Sequence, residues 1–396
     1  MSDSSIWREH GTPLLPPLGS GPLDGRTVAV KDLFAVAGFP IGAGNPGWLA
    51  QAAREPEDAW AVRALRAAGA AIAGIAQTDE LAFSLSGTNA HYGTPPNTAA
   101  PGLVTGGSSS GPAAAVAAGQ ADIGLGTDTA GSVRVPASVC GLFGLRPTHG
   151  AVPADGVLHL APSFDTVGWL TADAALLAAV GSVLLSANPG SPSQVPPPGP
   201  ADPPRRLLSP FPLNGPLLRL AATLGVPVVT APVLDADDST NLLAPRLLAA
   251  FRTVQAAEAW ELHGRWITAN PGALDADVEA RFRAGASVDS GTRNRAAAVI
   301  AGHRDRALGV IGPDTWLALP AAAGPGHARN ATQADKDAWR QATLRRTVIA
   351  SAFGLPSCVI PSAASPPEGL ALVGPPGADH ALLRAALAVE GSAEAS

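Results

Sequence analysis

Between Glu57 and Ala76 a helical pattern runs straight into an apolar strand, and no other stretch restricts the fold as much. Trp60, Ala61, Ala64, Leu65 and Ala68 share one face of a helix expected over 57–68. Glu57 and Asp58 stand in its first turn and Gly69 follows its end. Residues 70–76 then carry no polar side chain, as a fully buried strand requires. A helix feeding a strand at this spacing points to a layered α/β fold. The same grammar recurs. Thr27, Val28 and Val30 make a short β-type run that stops at Lys31. An Ala-rich helix over 112–118 has Pro112 in its first turn and precedes a buried strand over 121–126. A long helical pattern over 335–353, closed by Gly354 and Pro356, precedes a strand over 358–361. Residues 1–25 read as a Pro/Gly-rich wrapping arm, 186–215 as a proline-stiffened surface connection, and 391–396 as a frayed tail.

Composition narrows the function classes. With 396 residues, 46% of them hydrophobic, the chain can bury a large core. The net charge of −6 and the lack of a basic cluster argue against a nucleic-acid partner. The longest apolar runs, such as 67–76, fall far short of the roughly 20 residues of a membrane span. No signal peptide is legible in 1–17. The two cysteines, Cys140 and Cys358, make neither a disulfide framework nor a metal site, so a reducing cytoplasm is expected. The eight histidines have no metal-ligand spacing. Of 26 basic residues only Lys31 and Lys336 are lysines. A lysine in such an arginine-rich background calls for a reason.

Two small-residue loops carry the chemistry. The first is Gly106-Gly107-Ser108-Ser109-Ser110-Gly111. The second is Gly126-Thr127-Asp128-Thr129-Ala130-Gly131-Ser132-Val133-Arg134. A serine hydroxyl attacks a carbonyl only when something removes its proton, and the developing oxyanion needs aimed donors. Small residues before Ser132 let backbone N–H groups approach a substrate closely. No Gly-Lys-Ser/Thr follows either loop, which argues against a phosphate-binding P-loop. The run 107–111 also fits a nucleophile elbow centred on Ser109. Pro101 and Gly102 leave that serine without the strand an elbow requires.

Together the segments resemble the amidase signature family. The resemblance combines the triple serine, the Gly-Thr-Asp-Thr-x-Gly-Ser stretch, Arg134, and the 24 positions from Ser108 to Ser132 (132 − 108). Val30-Lys31-Asp32 matches the family's lysine motif. Gly141-Leu142-Phe143-Gly144-Leu145-Arg146-Pro147-Thr148 matches a later block, with Arg146 where lysine is common. Residues 163–168 and 354–356 continue the match. The core motifs cover 20–180 and 310–390, with a variable substrate-side region at about 180–310, in a single domain over 1–390. Within the family the chain is most similar to the short indole-3-acetamide amidases, through residues 44–48, 89–95 and 134–141.

The resemblance implies a central mixed β-sheet flanked by helices on both faces. It also implies a Ser-Ser-Lys triad: Ser132 as nucleophile, Ser108 as relay behind a cis peptide after Gly107, and Lys31 as base. Lys31 must lose its proton to work, which burial favours and arginine cannot do. The N–H groups of Thr129, Ala130, Gly131 and Ser132 would form the oxyanion hole. Ser109, Asp128 and Arg134 would support it. Ala130 departs from the Gly-Gly common before the nucleophile and would be strained if its φ were positive. No metal or organic cofactor is implied. The expected reaction is hydrolysis of a carboxamide, such as an aryl- or indole-acetamide, through an acyl-enzyme. The protein would be a monomer or homodimer, without nucleic-acid or membrane partners.

Blander readings stand beside these. Ser108–Ser110 could merely cap a helix, and Lys31 could be a strand-end surface charge. His91 and Tyr92 could line the pocket or simply pack. Trp316 fits the core best, Cys140 and Cys358 read as inert thiols, and Glu80 and Asp165 as structural. At the level of the whole protein the alternatives are a non-catalytic amidase-like scaffold and an amidotransferase-type subunit working in a complex.

Overall fold

The computed structural model describes residues 3–185, 203–230 and 245–394. In chain order the strands are β1 (Trp7–Leu15), β2 (Thr27–Lys31), β3 (Ala71–Ala76), β4 (Ile123–Thr127), β5 (Phe143–Arg146), β6 (Val167–Thr171), β7 (Arg206–Ser209), β8 (Val228–Thr230), β9 (Thr315–Pro320), β10 (Ser357–Pro361) and β11 (Gly369–Val373). Among the described residues these form one sheet, ordered β1-β3-β2-β4-β6-β5-β10-β11-β9-β7-β8. β2 runs parallel to β3 and β4, and β7 parallel to β8 and β9. The remaining pairs are antiparallel, so the sheet is mixed.

Strand alternation divides the core into two layers. Val28, Val30, Leu125, Trp169, Cys358 and Leu372 point to one face. There they meet α2 (Trp60–Ala67), α5 (Ala174–Leu184), α6 (Gly215–Ala222) and α11 (Asp379–Glu394). Leu170, Leu317, Leu319, Val359 and Ala371 point to the other. That face is covered by α3 (Ser110–Ala117), α4 (Arg134–Cys140), α7 (Pro245–Ala269), α9 (Ser290–Leu308) and α10 (Gln333–Phe353). The short α1 (Pro46–Leu49) and α8 (Ala276–Ala286) complete the set. Trp316 is buried in the first layer, as its position suggested.

Several local expectations shift. The N-terminal arm contains β1, an edge strand antiparallel to β3, rather than an unpaired wrap. The helix expected from Glu57 begins at Trp60, because the backbone at Ala59 is extended (ψ 149°); ahead of it the Asp58 carboxylate accepts from Ala37 N (2.8 Å) and Arg66 Nη1 (2.5 Å). Residues 206–209, within the presumed surface connection, form β7 inside the sheet; 186–202 lie outside the described residues. α11 runs on to Glu394, into the segment expected to fray, and 395–396 lie outside the described residues. The helix-like patterns after 216 are helices α6 to α9.

Candidate active site

The site gathers at the C-terminal ends of the parallel strands β2 and β4, where open α/β sheets characteristically bind ligands. Val28 and Val30 face the first core layer, so the two-residue period turns Ala29 and Lys31 to the other side. Lys31 closes β2 fully buried. Its Nζ donates to Ser108 Oγ (2.8 Å) and to Thr127 Oγ1 (2.9 Å) at the end of β4. Burial lowers the Lys31 pKa to about 7, although Asp79, Asp128 and Asp165 favour the charged form. The surface-charge reading of Lys31 is thereby removed.

The serine loop does not cap a helix. Ser109 precedes α3 without a side-chain capping bond. Its Oγ instead donates to Thr127 O (3.3 Å), and Ser110 Oγ donates to Asp79 Oδ1 (3.1 Å). The Gly107–Ser108 peptide is cis. Ser109 N donates to Ser132 O (3.2 Å), which ties the loop of Ser108 to the loop of Ser132.

The second loop is organised around Asp128. This buried carboxylate accepts from Gly131 N (2.9 Å), Val133 N (3.2 Å), Arg134 Nε (3.0 Å) and Nη2 (2.8 Å), and Arg146 Nη1 (3.0 Å). Burial alone would raise its pKa. The charges and hydrogen bonds of Arg134, with Arg146 behind them, hold it well below the usual carboxylate range. Arg134 continues to Thr347 O (2.9 Å) and Ser351 Oγ (2.7 Å), while Thr347 Oγ1 donates to Ala130 O (2.6 Å). Helix α10 is thus bolted to the loop that presents Ser132.

The four backbone donors do not stand alike. The Gly131 N–H is committed to Asp128. Those of Thr129, Ala130 and Ser132 have no protein acceptor among the described residues. Ala130 is not among the residues with positive φ. The left-handed position is Gly131, at φ +128°, so alanine at 130 carries no such strain.

Ser132, Thr129 and Ala130 open on a small pocket that communicates with solvent. Its walls include Phe83, Leu85, Leu160, Leu344, Gln255 and Arg340. The rim follows Leu81 (φ 45°) and Ala82 (φ 60°), successive non-glycine residues in the left-handed region. Such backbone costs of order 1–3 kcal/mol per residue. It is anchored by the buried Glu80, whose carboxylate binds Asn45 Nδ2 (2.8 Å), His91 Nε2 (2.7 Å) and Asp275 N (3.0 Å). His91 therefore packs on Glu80, away from Ser132. Asp165 accepts from Thr129 Oγ1 (2.6 Å) and Leu160 N (2.9 Å). Cys140 and Cys358 are buried, and burial pushes both thiols up to about 12.

Sequence reading did not single out Thr127, Asp79, Gln255, Arg340 or Thr347, and it noted Arg146 only as a variant of a motif. Thr127 lies inside the second loop and Asp79 next to Glu80, so both could have been flagged. The others come from distant segments with no motif around them.

A family model described as Amidase matches residues 18–212. Amidase 1 of Oryza sativa subsp. japonica is 53% identical over 170 residues, 43% of this chain and 39% of that protein. The Translocon at the outer membrane of chloroplasts 64 of Pisum sativum is 46% identical over 172 residues, 43% of this chain and 29% of that one. The indoleacetamide hydrolase of Pseudomonas savastanoi is 44% identical over 150 residues, 38% of this chain and 32% of that one. The chain thus spans about two fifths of the length, or less, of these curated relatives. Among solved structures, an inhibitor-bound complex described as vestigial and tied to the origins of an s-triazine catabolic enzyme superposes with a TM-score of 0.81 at 28% identity. It covers 94% of this chain and 85% of that one. A crystal structure of an amidase gives 0.76 at 26% identity, over 94% and 85%. The motifs, the family match and the shared fold agree: over residues 18–212 the chain carries the amidase signature region.

Proposed function

We propose that the protein hydrolyses a small carboxamide through an acyl-enzyme on Ser132. The observation that carries this reading is a buried lysine, with its pKa lowered to about 7, in hydrogen-bond contact with Ser108. Once Nζ has lost its proton it accepts one from Ser108, and Ser108 accepts one from Ser132 as Ser132 Oγ adds to the amide carbon. The oxyanion is met by the free N–H groups of Thr129, Ala130 and Ser132, while Asp128 holds Gly131 and so fixes the curve of the loop. The protons then return through Ser108 to the leaving nitrogen, and ammonia or an amine departs. Water attacks the acyl carbon by the same relay and restores Ser132.

Similarity to the indoleacetamide hydrolase supports an aryl- or indole-acetamide as substrate. The small pocket beside Ser132 favours a compact acyl group. We place the protein in the cytoplasm; no helix among the described residues is long and apolar enough to cross a membrane. Similarity to the pea translocon component favours a second reading, a docking scaffold at a membrane surface. Ammonia release from indole-3-acetamide, phenylacetamide, short aliphatic amides and allophanate separates the two. Release that vanishes in Ser132→Ala is expected. Silence from every amide, together with a co-purifying partner chain, would support the scaffold.

A further inference from the structure

The side chains of Arg340 and Gln255 line the Ser132 pocket and have no part in the relay. Arg340 and Leu344 lie one turn apart on α10, on the side that carries Thr347 to the nucleophile loop. The Arg340 side chain is 24% exposed, and its ion partner Asp337 Oδ1 stands 3.8 Å from Nε, beyond a hydrogen bond. That Nε is buried with no hydrogen-bond partner among the described residues. The other oxygen of Asp337 accepts from Gln333 Nε2 (3.2 Å). Gln255, on α7, is 6% exposed and its amide makes no hydrogen bond among the described residues. A buried donor atom left without an acceptor, as Arg340 Nε is, is costly, and sites built this way discriminate for the ligand group that completes them.

We propose that the amide turned over at Ser132 carries a carboxylate on its acyl part, held by the guanidinium of Arg340 and the side-chain amide of Gln255. This rests on the Ser132 reading above. A guanidinium fork matches a carboxylate in plane and spacing. Leu85, Leu160 and Leu344 supply apolar walls for one or two methylenes between the two ends.

The test compares succinamate with 4-methylpentanamide, which has the same shape but an isopropyl group in place of the carboxylate. Both are titrated calorimetrically onto the Ser132→Ala protein, so that binding is read without turnover. Succinamate should bind about 30-fold more tightly, the scale of charge-assisted hydrogen bonding. Adding Arg340→Gln should erase that preference, and adding Asp337→Asn should keep or increase it. Equal binding of the two amides overturns the proposal, as does a preference that survives Arg340→Gln or is lost in Asp337→Asn. Failure of the wild-type protein to release ammonia from any amide would instead refute the Ser132 reading and leave this binding comparison intact.

Discussion

Replacing Lys31 by methionine should abolish turnover and yet make the folded state more stable. The amine is fully buried, and its pKa falls from 10.5 to about 7 on folding, burial being the main cause. A shift of that size costs the native state about 4–5 kcal/mol at neutral pH. Methionine removes this cost and fills similar volume, but it forgoes the bonds to Ser108 and Thr127. Those two losses return roughly 1–1.5 kcal/mol each. The net gain is about 1–3 kcal/mol, or roughly 1–4 °C in Tm for a chain of this size. The sign of the pH dependence follows from the lowered pKa. Between about 7 and 10.5 the unfolded lysine holds a proton that the folded one lacks, so wild-type stability climbs with pH over that window. The advantage of the variant is therefore full below about 7 and shrinks toward pH 10. Urea unfolding of both proteins at pH 6, 7 and 9 reads this directly. A variant less stable than wild type at pH 6, or an advantage that does not shrink with pH, would refute the reasoning.

Other outcomes follow from the same geometry. The kcat/KM of wild type should rise with pH to a plateau, with a midpoint near 7 as Lys31 loses its proton; a midpoint below 5.5 in a pH–rate profile would assign the base elsewhere. Asp128→Asn leaves the buried guanidiniums of Arg134 and Arg146 uncompensated and should cost about 3–5 kcal/mol in urea unfolding. Gly131→Ala places a Cβ 2.9 Å from Thr347 Cγ2 and 3.0 Å from Val135 Cγ2 at φ +128°. It should lower kcat by about 100-fold or more through displacement of Ser132, and near-normal kinetics would remove the requirement for glycine there.

The legible part of the site was the part written in contiguous loops. Lys31, Ser108, Asp128, Ser132 and Arg134 lie within or next to short motifs, and the structure brings them together where β2 and β4 end. The scarcity of lysine was a real signal, since Lys31 is fully buried where a surface charge would have been replaceable by arginine. The commitment of Gly131 N–H to Asp128 was not legible, because a backbone donor's partner depends on loop curvature rather than residue type. Pocket walls such as Gln255 and Arg340 come from α7 and α10, far along the chain, and only tertiary packing delivers them to Ser132. The left-handed pair Leu81–Ala82 contradicts its own residue types, so no propensity argument could have found it. β1 escaped notice because prolines and glycines mask an edge strand, where they are tolerated.

The central claim, a covalent acyl-enzyme on Ser132, is tested most directly by acid-quenching the protein during turnover and mapping the added mass by peptide mass spectrometry. The account predicts one acyl group on Ser132, absent from Ser132→Ala and strongly reduced in Lys31→Arg. An acyl group on Ser109 or on a cysteine, or steady ammonia release by Ser132→Ala, would contradict it.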